Sequence, residues 1–265
     1  MAPNSPFPAP MNVISLQSGS NGNCIYVESA GTRLLIDAGI SGRQAQLRLE
    51  AHGREINSVD ALLISHDHID HARCMGVYHR KFGLPVYLTR STYAAAQANR
   101  DAGRIQDLWH FKAGERFVIG PLTVESIPTP HDAADGVAFV VDDGKCRVGI
   151  LTDLGHVFDQ LHDVIGSLDA VVIESNYDPD MLAGGPYPAW LKDRICGSGG
   201  HISNVESAEL LAAAGQRRLE WACLAHLSEE NNDPELALAT HRRICGTDLT
   251  VHVAGRDGPT DVLEV

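Results

Sequence analysis

Lysine and arginine are scarce in this chain: 21 stand against 34 acidic residues, a formal charge of −13. Affinity for a phosphate backbone normally rests on those side chains, so the balance argues against tight, non-specific coating of nucleic acid. It does not exclude an enzyme that meets phosphate at a metal centre, because bound cations add positive charge that a residue count omits. Long apolar runs are missing too. None approaches the roughly 20 residues that a membrane-spanning helix needs, so no membrane partner is expected. Residues 1–10 hold Pro3, Pro6, Pro8 and Pro10 but no Lys or Arg, which excludes the charged start and apolar centre of a secretory signal. We read 1–10 as a flexible lead-in, 11–265 as one domain and the cytoplasm as its setting. Cys24, Cys74, Cys146, Cys196, Cys223 and Cys245 are scattered, with no CxxC pair. That spacing gives neither a zinc ribbon nor a dense disulfide framework, and buried free thiols are expected.

What is present is an ordinary globular share of apolar residues, 44%, arranged in short runs without repeats or low-complexity tracts. Strands are expected at 12–16, 24–28, 33–37 and 60–65, with a Gly/Asn turn over 19–23 where positive φ is tolerated. Further strands are expected at 86–88, 122–127, 137–141, 147–152, 170–174, 221–225 and 249–253. Helices are expected at 41–52, 92–101, 156–165, 188–196, 205–214 and 235–244. Two blocks of strands, each with its helices, imply two packed mixed sheets with helices outside.

The chemistry concentrates in His66-Asp67-His68-Ile69-Asp70-His71, directly after an apolar strand. Imidazole nitrogen and carboxylate oxygen suit zinc, manganese or iron. Side chains at i and i+2 of a strand end point the same way, so His66 and His68 converge on one ion. Asp70 and His71 then come from the following turn and can serve a second.

The pattern HxHxDH resembles the metallo-β-lactamase superfamily, which implies a four-layer αβ/βα fold and two divalent ions. The superfamily's other motifs occur in order: Asp37 in LLIDAG, His131 in TPHD, Asp153 in LTDLG and His226 in LAHLS. The resemblance implies His66, His68 and His131 on one ion, Asp70, His71 and His226 on the other, and Asp153 bridging them. Asp37 would orient the histidine loop from behind. Two cations would hold a water between them and lower its pKa enough to make hydroxide, the implied nucleophile. His52, His79, His110, His162, His241 and His252 stand outside this set, and His156 is left open.

Four further stretches, SGSNGN at 18–23, ESNYD at 174–178, GGHISN at 199–204 and HLSEENN at 226–232, resemble the YycJ/WalJ branch of that superfamily. The likeness runs from Met11 onward and implies 5′→3′ exonuclease action on DNA. Tyr177 stands where the branch more often has His, so no metal role is carried to it. Bottom-up, the paired glycines at 199–200 let backbone approach a bulky anion, and Ser203 or Asn204 can cap a helix whose N-terminus attracts phosphate. A similar Gly-His-Ser grouping contacts the scissile phosphate in the β-CASP nucleases. Their additional domain has no room here, because residues 154–225 already carry two expected strands and three expected helices.

The sequence therefore points to a two-metal phosphodiesterase, with Asp70, Asp153 and His201 catalytic and His201, Ser203 and Asn204 on the substrate, which would be DNA. The main alternative is an acyl hydrolase of the glyoxalase II type, a thioesterase or lactonase using the same metals. A metal-stabilised binding module without activity is the other. Oligomeric state is not legible.

Overall fold

The computed structural model of the protein describes residues 10–99, 102–213 and 219–265. The lead-in over 1–9 and the last residues of the expected helices 92–101 and 205–214 lie outside them. Among the described residues two seven-stranded sheets are present. The first contains β1 (Asn12–Gln17), β2 (Cys24–Ser29), β3 (Thr32–Ile36), β4 (Ala61–Leu63), β5 (Val86–Leu88) and β6 (Leu108–His110). The second contains β7 (Arg116–Ile119), β8 (Leu122–Pro128), β9 (Val137–Asp142), β10 (Arg147–Leu151), β11 (Ala170–Glu174), β12 (Trp221–Ala225) and β13 (Thr250–Val253). The last strand, β14 (Leu263–Glu264), returns to the first sheet beside β1.

Each sheet is mixed. β1, β2 and β3 pair antiparallel, then β3 through β6 run parallel. The second sheet repeats the plan, antiparallel from β7 to β10 and parallel from β10 to β13. Helices enter where the pairing turns parallel, because a parallel neighbour needs a crossover connection.

Alternation along the strands sorts the side chains into three cores. Leu34 and Ile36 of β3, Phe139 and Val141 of β9, and Cys223 of β12 meet between the sheets. The neighbouring positions point outward: Leu35 packs under α1 (Gly42–Ala51), while Ala222 and Leu224 pack under the helices of the other side. Both faces of each sheet are thus apolar because both are covered. The inter-sheet core runs from Met11 to Leu263, and Met11 and Val265 exchange backbone hydrogen bonds at 3.2 and 3.0 Å. Layers of helix, sheet, sheet and helix are the expected architecture. Cys24, Cys223 and Cys245 are buried, whereas Cys74 and Cys146 are half-buried and Cys196 is exposed, so the expected burial holds for three of the six. Among the described residues no helix is long and apolar enough to cross a membrane.

Several elements were not foreseen. β4 stops at Leu63, so His66 and His68 sit in a loop and converge by loop geometry, not by strand alternation. Asp70 belongs to a one-turn helix, α2 (Ile69–Ala72), which His68 precedes as the capping residue. α3 (Met75–Phe82) follows at once and ends at Gly83, whose left-handed φ of 74° stops it. α4 (Arg90–Asn99) is near its expected place, and α5 (Asp159–Gly166) starts three residues late. Among the described residues between Asp153 and His226 lie four helices instead of three: α5, α6 (Pro179–Gly184), α7 (Ala189–Ile195) and α8 (Asn204–Ala213). α9 (Pro234–Cys245) completes the set. The short edge strands β6, β7 and β14 were also missed, since two to four residues carry too little periodicity to read.

Candidate metal centre

The residues singled out by sequence gather where strands end. Asp37 follows β3, His66 follows β4, His131 follows β8, Asp153 follows β10 and His226 follows β12, while Glu174 closes β11. The crevice beyond the carboxyl ends of strands is where open α/β sheets collect ligands. Asp37, Asp153 and His226 turn out of their strands with φ of 65°, 56° and 55°. A left-handed turn costs a non-glycine residue on the order of 1–2 kcal/mol. Such strain, repeated at three site residues, is the kind that packing tolerates at functional positions.

Donor atoms converge in overlapping groups. His66, His68 and His131 each offer a donor within 4.8 Å of the others, and so do Asp70, His71 and His226. Asp153 falls between them, sharing a group with His66 and His71. Its Oδ2 is 3.2 Å from His71 Nε2, and its Oδ1 is 3.7 Å from both His131 Nε2 and His226 Nε2. Asp70 Oδ2 lies 3.3 Å from His226 Nε2 and 3.5 Å from His71 Nε2.

The nitrogen of each ring that faces away from the centre is held. His131 Nδ1 donates to the Gly200 carbonyl at 2.8 Å, and His71 Nδ1 donates to Asp37 Oδ2 at 2.6 Å. Burial opposes charge on His71, but Asp153, Asp37 and Asp70 outweigh it and lift the ring well above the ordinary imidazole value, so a cation bound at Nε2 would displace a proton there. Asp37 does not reach the donor cluster; its carboxylate also accepts the Ser65 N–H at 2.8 Å and the Ser65 hydroxyl at 2.9 Å. That is the orienting position the resemblance implies.

The donor set fits a divalent cation. His66 Nε2 is buried without a hydrogen-bond partner, and Asp153 Oδ2 finds no well-aligned donor. Burial, with His71 next to it, pushes His66 well below the ordinary imidazole value, so its ring is neutral, the form that binds metal. Burial likewise lowers His131. Burial opposes charge on His226, but Asp153, Asp70 and Glu174 outweigh it and lift the ring to about 10. Asp153 in turn is held well below the carboxylate range by His226 and His71, against its own burial. Buried histidines and carboxylates crowded this closely are the composition of a metal site.

Other expectations need correction. His201 does line the cavity in front of these donors. Ser203 and Asn204 do not: Ser203 caps α8, its hydroxyl accepting the Glu206 N–H while its own N–H donates to Glu206 Oε2 at 2.8 Å. Asn204 is buried and bonded to Ser175 and Asn232. The α8 N-terminus is therefore already satisfied by protein, not open to phosphate. Nor does Gly200 face an anion, because a methyl there would overlap the carbonyl oxygens of Arg194 and Ile195. His156 is exposed and its Nδ1 meets the Ser198 carbonyl at 2.7 Å, away from the donors. Tyr177 is buried beside Ser203.

Glu174 was overlooked as a site residue. It is wholly buried, accepts His201 Nδ1–H at 2.6 Å and the Leu154 N–H at 3.0 Å, and lies 3.5 Å from His226 Nδ1. Burial would raise its pKa, yet His201 and His226 bring it to about 2, so it is a buried anion. A lone glutamate ending the apolar run AVVIE was the available signal.

The donor cluster binds divalent metal, and, taken with its family and relatives, the chain is a metal-dependent hydrolase. It belongs to the β-lactamase superfamily: the model of the Beta-lactamase superfamily domain matches residues 32–226. Exodeoxyribonuclease WalJ of Streptococcus pneumoniae serotype 2 is 34% identical over 261 residues, covering 94% of this chain and 96% of the relative. Exodeoxyribonuclease YycJ of Bacillus anthracis is 36% identical over 222 residues, 84% of each chain. Among solved structures, the metallo-β-lactamase fold protein YhfI from Bacillus subtilis superposes with a TM-score of 0.75 at 18% identity. That match covers 97% of this chain and all of the other, and it speaks for the fold alone.

Proposed function

We propose that the chain hydrolyses phosphodiester bonds of DNA as an exonuclease, in the 5′→3′ sense that the YycJ/WalJ resemblance implies. Two divalent ions would be held, one by His66, His68 and His131 and one by Asp70, His71 and His226, with Asp153 between them. Zinc or manganese suits these donors, and iron is compatible with them. Such ions supply a nucleophilic water of lowered pKa and positive charge for the phosphate.

The observation that carries phosphodiester over thioester substrates is His201 on the cavity wall with the buried Glu174 behind it. Glu174 takes Nδ1–H of His201, which fixes the tautomer and leaves Nε2 for the cavity. From there the ring can bind a phosphate oxygen or hand a proton to a departing alkoxide, a poor leaving group that needs one. A thiolate leaves without such help. The relatives named exodeoxyribonucleases, at 34% and 36% identity over most of both chains, support the same reading. The inter-sheet core shared by Met11 and Leu263 supports 11–265 as one domain, and the cytoplasm is the setting this function implies.

The test is protein loaded with manganese or zinc, offered end-labelled single- and double-stranded DNA, RNA, a small phosphodiester and a thioester. Progressive loss of nucleotides from DNA 5′ ends is expected. His201→Ala should keep its metal while nuclease turnover falls roughly 10²–10⁴-fold. Unchanged turnover in that variant, or thioester cleavage exceeding DNA cleavage, would overturn the reading.

A further inference from the structure

α7 and the residue four before its third position form one wall of the cavity that the donor atoms open into. That cavity has a volume of about 400 Å³, within the range that takes one small organic unit. Tyr187, Leu191, Arg194 and Ile195 line it together with Asp153 and His201. Leu191, Arg194 and Ile195 are three and four residues apart, so they share one helical face. No residue of α7 is buried. A helix whose apolar side chains border open cavity instead of core forgoes the burial that normally holds a helix down.

Polar contacts hold this wall instead, and they tie it to the centre. Lys192 Nζ donates to the Ala183 carbonyl at 2.7 Å, and the His201 N–H donates to the Ile195 carbonyl at 2.8 Å. Arg194 Nε donates to Asp132 Oδ2 at 2.7 Å. Asp132 follows His131 in the chain, and its carbonyl oxygen lies 3.2 Å from His68 Nε2. Arg194 is therefore positioned from the same loop that carries His131. Using Nε for Asp132 leaves the two terminal amino groups of the guanidinium, a planar fork suited to phosphate. Among the described residues it is the one lysine or arginine lining this cavity. In a chain of net charge −13, a polyanion is attracted only by cations placed where it must bind.

The geometry points to the α7 wall as the substrate-recognition element of this centre. Arg194 takes the phosphate next to the one being cleaved, and Tyr187, Leu191 and Ile195 take the nucleoside between the two phosphates. The wall thus distinguishes a polynucleotide from a small diester that has a single phosphate and reaches only the metal side. This rests on the proposed action on DNA.

The experiment uses the full, metal-loaded chain with two substrates, a 5′-labelled DNA duplex and bis(p-nitrophenyl) phosphate. Arg194→Ala should raise KM for DNA about 10-fold or more, with a much smaller change in kcat. Its effect on the small diester should be at least several-fold weaker. The slope of log(kcat/KM) for DNA against log salt should fall by about one. Leu191→Asn should raise KM for DNA without altering the salt slope, and Arg194→Lys should recover the salt slope in part. Equal losses on both substrates in Arg194→Ala would overturn the proposal, since Arg194 would then act through Asp132 on the donor loop. DNA kinetics and salt slope unchanged in Arg194→Ala, with a wild type that cleaves both substrates, would overturn it alone. A wild type that cleaves only the small diester would overturn the DNA reading and this proposal together.

Discussion

Asp37→Asn removes one charge behind the histidine cluster while leaving the backbone that carries it at ease. Asp37 has a φ of 65°, a left-handed conformation that asparagine also tolerates. Oδ1 accepts the Ser65 N–H at 2.8 Å, and Oδ2 accepts His71 Nδ1–H at 2.6 Å. A carboxylate accepts on both oxygens, whereas a carboxamide has one acceptor and one donor. Turned one way, the new NH₂ confronts the Ser65 N–H and leaves a buried donor unsatisfied, which costs about 1–3 kcal/mol. Turned the other way, it faces His71 Nδ1 and drives the ring proton to Nε2, the nitrogen aimed at Asp70 and Asp153. That removes the lone pair a cation needs. Loss of an orienting partner of this kind weakens metal binding on the order of 10–100-fold, or about 1.4–2.7 kcal/mol, the same scale as the unsatisfied donor. Competition with a chromophoric chelator would measure the affinity for zinc or manganese, and a thermal melt would follow the fold. Affinity within twofold of the parent would refute the reasoning, because His71 would then be oriented without the charge.

Asp153→Ala takes away the carboxylate that stands between the two donor groups, so metal content should drop from about two ions per chain to one or none. Metal analysis of protein purified without chelator checks this, and a full complement would exclude the bridging place. Gly200→Ala sets a methyl against the carbonyls of Arg194 and Ile195, so α7 or the His201 loop must shift. The overpacking should cost about 1–3 kcal/mol, read as a lowered Tm together with a loss of DNA cleavage. An unchanged Tm would show that the loop has slack.

The layered fold was legible because strands covered on both faces read as short continuous apolar runs, such as LLI over 34–36 and WACLA over 221–225, which mark a strand without stating which residue takes which face. The histidine cluster was legible for a similar reason. Four donors within six residues cannot lie far apart, whatever the rest of the chain does. Where that reading erred, it assumed regular geometry past its end, as with a strand expected to run to Ser65 when β4 stops at Leu63.

What only the tertiary structure decided lies between segments distant in sequence. Glu174 meets His201 across 27 residues, and Arg194 meets Asp132 across 62. Neither partnership leaves a trace in local spacing. Gly200 shows the same limit from the other side, since a glycine permits close approach of anion or of backbone alike, and only the placement of α7 selects backbone. Asn204 could have faced a ligand or braced the fold, and its bonds to Ser175 and Asn232, 29 and 28 residues away, settled it. The Ser203 cap, by contrast, was open to reading in the sequence, because Glu206 stands three residues on. By itself the sequence determined which donors exist and which run together, because period and spacing act over a few residues. The sheet order from β8 to β12 determined which of them share a cavity, because hydrogen-bonded neighbours bring distant strand ends together irrespective of the chain between them.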